Sequence, residues 1–176
     1  MIGEHAKDSF ERIFTSAARM RLVVQEGQSC EAVRRADDEA QGEHLVILTI
    51  ASMQFRLLLV LHFDDDERTR RYYVGDAART LTECFMEYGN LCCGAMNQQL
   101  VEHFPDLGMS TPYALESGCL PYLRELQPDY VQSFALTLND DVRLGATLCV
   151  CTQTPLDFVA AATTDAHDSA GELEFF

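Results

Sequence analysis

Residues 83–97 read ECFMEYGNLCCGAMN. On an α-helix, which turns by about 100° per residue, this run splits into two faces. Glu83, Glu87, Asn90, Gly94 and Asn97 fall within a sector of roughly 80°, and Leu81, Phe85, Tyr88 and Cys92 lie opposite. The spacing predicts a helix with one apolar face to bury and one narrow stripe of carboxylate, amide and glycine. The chain has three asparagines, and two of them sit on this stripe. Asn is a poor helix-interior residue, and a helical Gly costs about 1 kcal/mol against Ala. A polar helix face is ordinarily just solvated. Glycine and asparagine within it point instead to a surface that something approaches and hydrogen-bonds.

The flanking sequence predicts what the helix packs on. Residues 4–19 read as a first helix, with Phe10, Ile13, Phe14 and Ala17 at helical spacing. Arg21–Gln25 reads as a short strand and Gly27–Gly42 as a polar loop. His44–Ser52 and Gln54–Phe63 are β-rich runs with a tight connection, hence a hairpin. Asp64–Glu67 is an acidic turn. The striped helix is expected to start at Asp76 as N-cap and end before Pro105, with a kink or break near Gly89 or Gly94. Thr111–Pro112 opens an extended segment through Cys119. Tyr130–Leu138 and Val142–Thr152 form a second hairpin across Asn139–Asp141. Hairpins flanking long helices indicate an α+β fold. The expected sheet is mainly antiparallel, of about six strands, packed with two long helices. Residues 1–160 are expected to be a single domain, and 161–176 an acidic, mobile tail.

Composition narrows the function classes. A net charge of −15, with no basic cluster, argues against nucleic acid and against an anionic membrane as partners. No signal-peptide pattern is seen, and the longest apolar run, Leu57–Leu61, is too short to span a bilayer. The seven cysteines lie mostly in apolar segments and suit a reduced, cytoplasmic chain. The five histidines are scattered, so no metal site is expected. There is no nucleophile elbow, P-loop or dinucleotide fingerprint.

The order Glu87–x–x–Asn90–x–x–x–Gly94, then Leu100, Ser110–Thr111–Pro112 and Gly118, resembles the CheC/CheX/FliY family of chemotaxis proteins. Members of that family are phosphatases of the phosphorylated response regulator CheY. The resemblance runs from about Asp76 to Thr152 and is best over 83–118. Glu87–x–x–Asn90 is the only E-x-x-N in the chain, which matches the single-site CheX branch rather than the two-site CheC branch. The resemblance implies catalytic roles for Glu87, which meets a lysine beside the receiver's acyl phosphate, and Asn90, which orients the attacking water. The polar stripe itself gives Glu83, Gly94 and Asn97 as the expected binding residues. The resemblance implies no cofactor in this chain, with any Mg2+ held by the partner receiver domain. The CheX branch tends to form homodimers. A non-catalytic CheX-like module, binding a receiver domain or a flagellar or signalling partner through the same helix, is the alternative.

Overall fold

The computed structural model describes residues 1–161, so the expectation of a mobile tail falls almost wholly outside the described residues. The elements are α1 (Glu4–Arg21), β1 (Cys30–Arg35), β2 (His44–Ala51), β3 (Phe55–Phe63), α2 (Glu67–Tyr73) and α3 (Leu81–Leu100). They continue with β4 (Gly108–Met109), β5 (Tyr113–Glu116), a 3₁₀ segment (Ser117–Leu126), β6 (Tyr130–Leu138) and β7 (Val142–Thr152). The seven strands form one sheet in the order β1-β6-β7-β3-β2-β4, with β5 also pairing β2. Every pair is antiparallel. The fold is α+β, as expected, with two long helices plus the short α2 and the 3₁₀ segment.

The central strands are apolar on both faces because both are covered. Successive strand residues point to opposite sides. On one side Val46, Leu48, Leu57, Leu59, Leu61 and Phe63 meet α1 and α3 in the main core. On the other, Leu45, Ile47, Leu58, Val60 and Cys149 pack against Leu120 and Leu123 of the 3₁₀ segment. Both hairpins fold as expected. β2 and β3 pair through Ile47↔Val60, and β6 and β7 pair through Leu138↔Val142. Asn139 and Asp140 take positive φ in the turn between β6 and β7, a conformation these residue types tolerate.

Three expectations are corrected. Arg21–Gln25 is not a strand. Leu22 caps α1 and is fully buried. The strand lies instead at Cys30–Arg35, inside the stretch read as a loop. As an edge strand pairing only β6, it keeps Glu31 and Arg34 exposed and has no apolar run to announce it. The striped helix starts at Thr80 rather than Asp76, ends at Leu100, and runs unbroken through both glycines. The extended segment from Thr111 divides into the short β5 and the 3₁₀ segment, preceded by β4.

A buried polar group sits under residue 41 on the 3₁₀ side of the sheet. His62 is fully buried, and its Nδ1 accepts from the Gln41 amide at 3.1 Å. Its Nε2 lies 3.1 Å from Thr147 Oγ1, which is 2.8 Å from Ser133 Oγ. Burial, helped by the Arg35 charge, lowers the imidazole to about 4. An added proton on Nδ1 would face the Gln41 N–H. The unfolded imidazole titrates near 6.5, so as pH falls below that value the unfolded chain binds the proton first. Stability is therefore full above pH 6.5 and declines toward pH 4, by about 1.4 kcal/mol per pH unit. Urea unfolding of wild type and His62→Gln across that window checks this. The variant should lose most of the slope, and a wild-type stability that stays flat would refute it.

Candidate functional site

α3 presents the stripe because its other face is locked onto the sheet. Leu81, Phe85, Cys92, Met96 and Leu100 recur at helical spacing and are all buried. Phe85 stacks on Phe63 with centroids 4.0 Å apart and an interplanar angle of 9°. Tyr73 of α2 tilts onto Phe85 at 4.7 Å and meets Tyr88 edge-on at 5.0 Å.

The two glycines do opposite things. Gly89 faces the sheet, where a Cβ would lie 3.0 Å from Leu48 Cδ1 and 3.3 Å from Leu61 Cδ1. Its missing side chain lets α3 settle onto β2 and β3, and it does not kink the helix. Gly94 lies on the outer side, where a Cβ would meet nothing within 4 Å. Packing does not require glycine there.

The start of α3 is fixed by a capping box. Thr80 Oγ1 accepts from the Glu83 amide at 3.2 Å, while the Glu83 carboxylate accepts from the Thr80 amide at 2.7 Å and from its hydroxyl at 2.9 Å. These bonds hold the Glu83 carboxylate below its ordinary range. Glu83 thus lies on the stripe, but its carboxylate serves the helix terminus. Thr80→Ala should destabilise the fold by about 1 kcal/mol, as for other lost N-caps. A thermal unfolding midpoint equal to wild type would show that the cap contributes nothing.

Of the expected site residues, Glu87, Asn90 and Gly94 share one accessible surface. Glu87 and Asn90 are exposed and Gly94 partly so. Asn97 is half-buried at the far end of the stripe, and its Oδ1 is buried with no hydrogen-bond partner. Asn90 makes no side-chain hydrogen bond among the described residues, so its amide is free for an outside group. Glu87 is not free. Arg79, in the connection between α2 and α3, donates through Nη1 to Glu87 Oε2. This residue was missed in the sequence, although Thr80–x–x–Glu83 would have placed the helix start and set Arg79 just ahead of it.

Beside the Glu87 end of the stripe lies a groove of about 680 Å3, lined by His44, Asp65, Arg70, Asp76, Arg79 and Thr80 among others. Arg70 is itself paired with Asp65. The thiols of Cys92 and Cys93 lie within α3. Burial pushes both up, Cys93 to about 12, so neither supplies a thiolate nucleophile at neutral pH. What α3 offers chemically is a carboxylate and, one turn on, a neutral amide. Among the described residues no cluster of His, Cys, Asp or Glu could hold a metal ion, and no helix is long and apolar enough to cross a membrane.

No family model matches the sequence, and no curated protein matches it significantly. Solved structures do match. The chemotaxis protein CheX from Vibrio vulnificus superposes with a TM-score of 0.58 at 13% identity, covering 80% of this chain and 98% of that one. CheX from Desulfovibrio desulfuricans gives 0.56 at 12% identity, covering 82% and 99%. The chain has the CheX fold. A CheC-like protein from a Shewanella species shares it, with a TM-score of 0.54 at 12% identity over 84% of this chain and 98% of that one. A chain of the CheX–CheY–BeF3–Mg2+ complex from Borrelia burgdorferi also shares it, at 0.54 and 11% identity over 82% and 97%. At such identities the likeness speaks for architecture. Within this CheX-like fold, α3 covers the sheet with one face and leaves Glu87 and Asn90 facing outward.

Proposed function

We propose that this chain is a protein phosphatase acting on the aspartyl phosphate of a CheY-like receiver domain. The observation that carries the proposal is the unengaged, exposed Asn90 amide one turn beyond the exposed Glu87 carboxylate, on a helix fixed by its packed inner face. The neighbouring CheX–CheY–BeF3–Mg2+ complex supports it, since beryllofluoride has the shape of a phosphoryl group.

An aspartyl phosphate is already activated, because its leaving group is a carboxylate. Hydrolysis needs a positioned water more than a strong base. The Asn90 amide can donate to and accept from a water without bringing negative charge near the phosphoryl oxygens. The water oxygen bonds to phosphorus, the bond from phosphorus to the aspartyl oxygen breaks, and the surplus proton leaves with inorganic phosphate or solvent. Glu87 would pair with a cation beside the phosphorylation site and set the register of α3 on the partner. Gly94 would let the partner's surface approach the helix backbone. Mg2+ would stay with the receiver, and the encounter would take place in the cytoplasm.

The test is turnover. Catalytic amounts of the chain should shorten the lifetime of a phosphorylated receiver domain from the same organism, followed by phosphate release. Tight binding without faster release would leave the non-catalytic module as the function.

A further inference from the structure

We propose that Arg79 is an exchangeable counter-ion for Glu87, which a partner's cation must outcompete, so that Arg79 tempers the affinity for a partner that presents a cation there. The inference rests on the receiver-phosphatase reading of the stripe.

Three observations support it. The Arg79 guanidinium donates to one oxygen only, Glu87 Oε2, and makes no other hydrogen bond among the described residues. Both partners are substantially exposed, at 36% and 56% of their side-chain area, so the contact is loosely held. Arg79 also lines the groove beside the stripe, which leaves room for its side chain to swing away without disturbing the core.

A partner cation can meet Glu87 in two ways. It can displace Arg79 from Oε2, which costs the in-chain pair, or it can take Oε1 and lie near a like charge. Arg79 weakens the attraction in both. Removing the guanidinium leaves Glu87 without its counter-ion, so an incoming cation meets an uncompensated carboxylate. A partner lacking a cation leaves the Arg79–Glu87 pair in place, so the effect of Arg79 falls on partners that present one.

The experiment measures KM and kcat for dephosphorylation with wild type, Arg79→Gln, Arg79→Lys, Glu87→Gln and the double variant Arg79→Gln/Glu87→Gln. Arg79→Gln should lower KM by about two- to five-fold, the range set by exposed pairs, with kcat little changed. Arg79→Lys keeps the pair and should hold the wild-type KM. In the Glu87→Gln background the Arg79→Gln effect should vanish, which separates it from any general change in charge. An Arg79→Gln effect that persists without Glu87, or a raised KM, would overturn the inference while wild-type turnover stood. Absence of wild-type turnover would remove the underlying reading and the inference with it.

Discussion

Asn90→Ala should slow receiver dephosphorylation by on the order of 100-fold while the fold stays intact. That loss corresponds to about 2.7 kcal/mol of barrier, a reasonable share for one group that positions the nucleophile. The structural side is equally specific. Asn90 is exposed and makes no side-chain hydrogen bond among the described residues, and Asn is a weaker helix former than Ala. Truncation therefore removes nothing that supports α3 and should leave the unfolding midpoint unchanged or slightly raised. A variant with wild-type turnover would take Asn90 out of the chemistry. A variant that unfolds would show that the residue is structural.

Phe85→Ala should destabilise the protein by about 3–5 kcal/mol, the range for truncating a buried aromatic ring. Phe85 is fully buried, stacks on Phe63 of β3 and contacts Tyr73 of α2. Its removal opens a void where α2, α3 and the sheet meet. Against a typical total of about 5–15 kcal/mol, the loss is large. Urea unfolding at neutral pH measures it directly. A change below about 1 kcal/mol would mean that the layer around Phe63 collapses to fill the void, and that Phe85 is not what holds the stripe in place.

The two hairpins and the stripe were legible in the sequence because each rests on a short period: alternation for the strands and helical spacing for α3. The outward position of Gly94 followed from the same spacing. Gly89 was misread because its reason lies across the interface, in Leu48 and Leu61, which no local pattern reports. β1 was missed because an exposed edge strand carries charge where a central strand carries leucine. The start of α3 was misplaced for a different reason. Asp76 alone is a plausible cap, but Thr80 with Glu83 satisfies two orphan amides reciprocally and prevails. That exchange also explains why Glu83, grouped with the site by its angle, has its carboxylate spent at the helix terminus. The Arg79–Glu87 pair spans the non-helical entry to α3, so helical spacing could not reveal it.

The central claim is that the exposed stripe of α3 meets the phosphorylated site of a receiver. With only Asn90, Asn97 and Asn139 in the chain, selective 15N labelling of the asparagine side chains gives three amide groups, each a pair of signals, that can be followed by NMR. Asn139 lies in the β6–β7 turn, outside α3, and serves as an internal reference. On adding a CheY-like receiver treated with BeF3− and Mg2+, the Asn90 amide signals should shift or broaden while those of Asn139 stay put, and the untreated receiver should have a weaker effect. Movement of Asn139 with Asn90 unchanged, or no response from any of the three, would contradict the account.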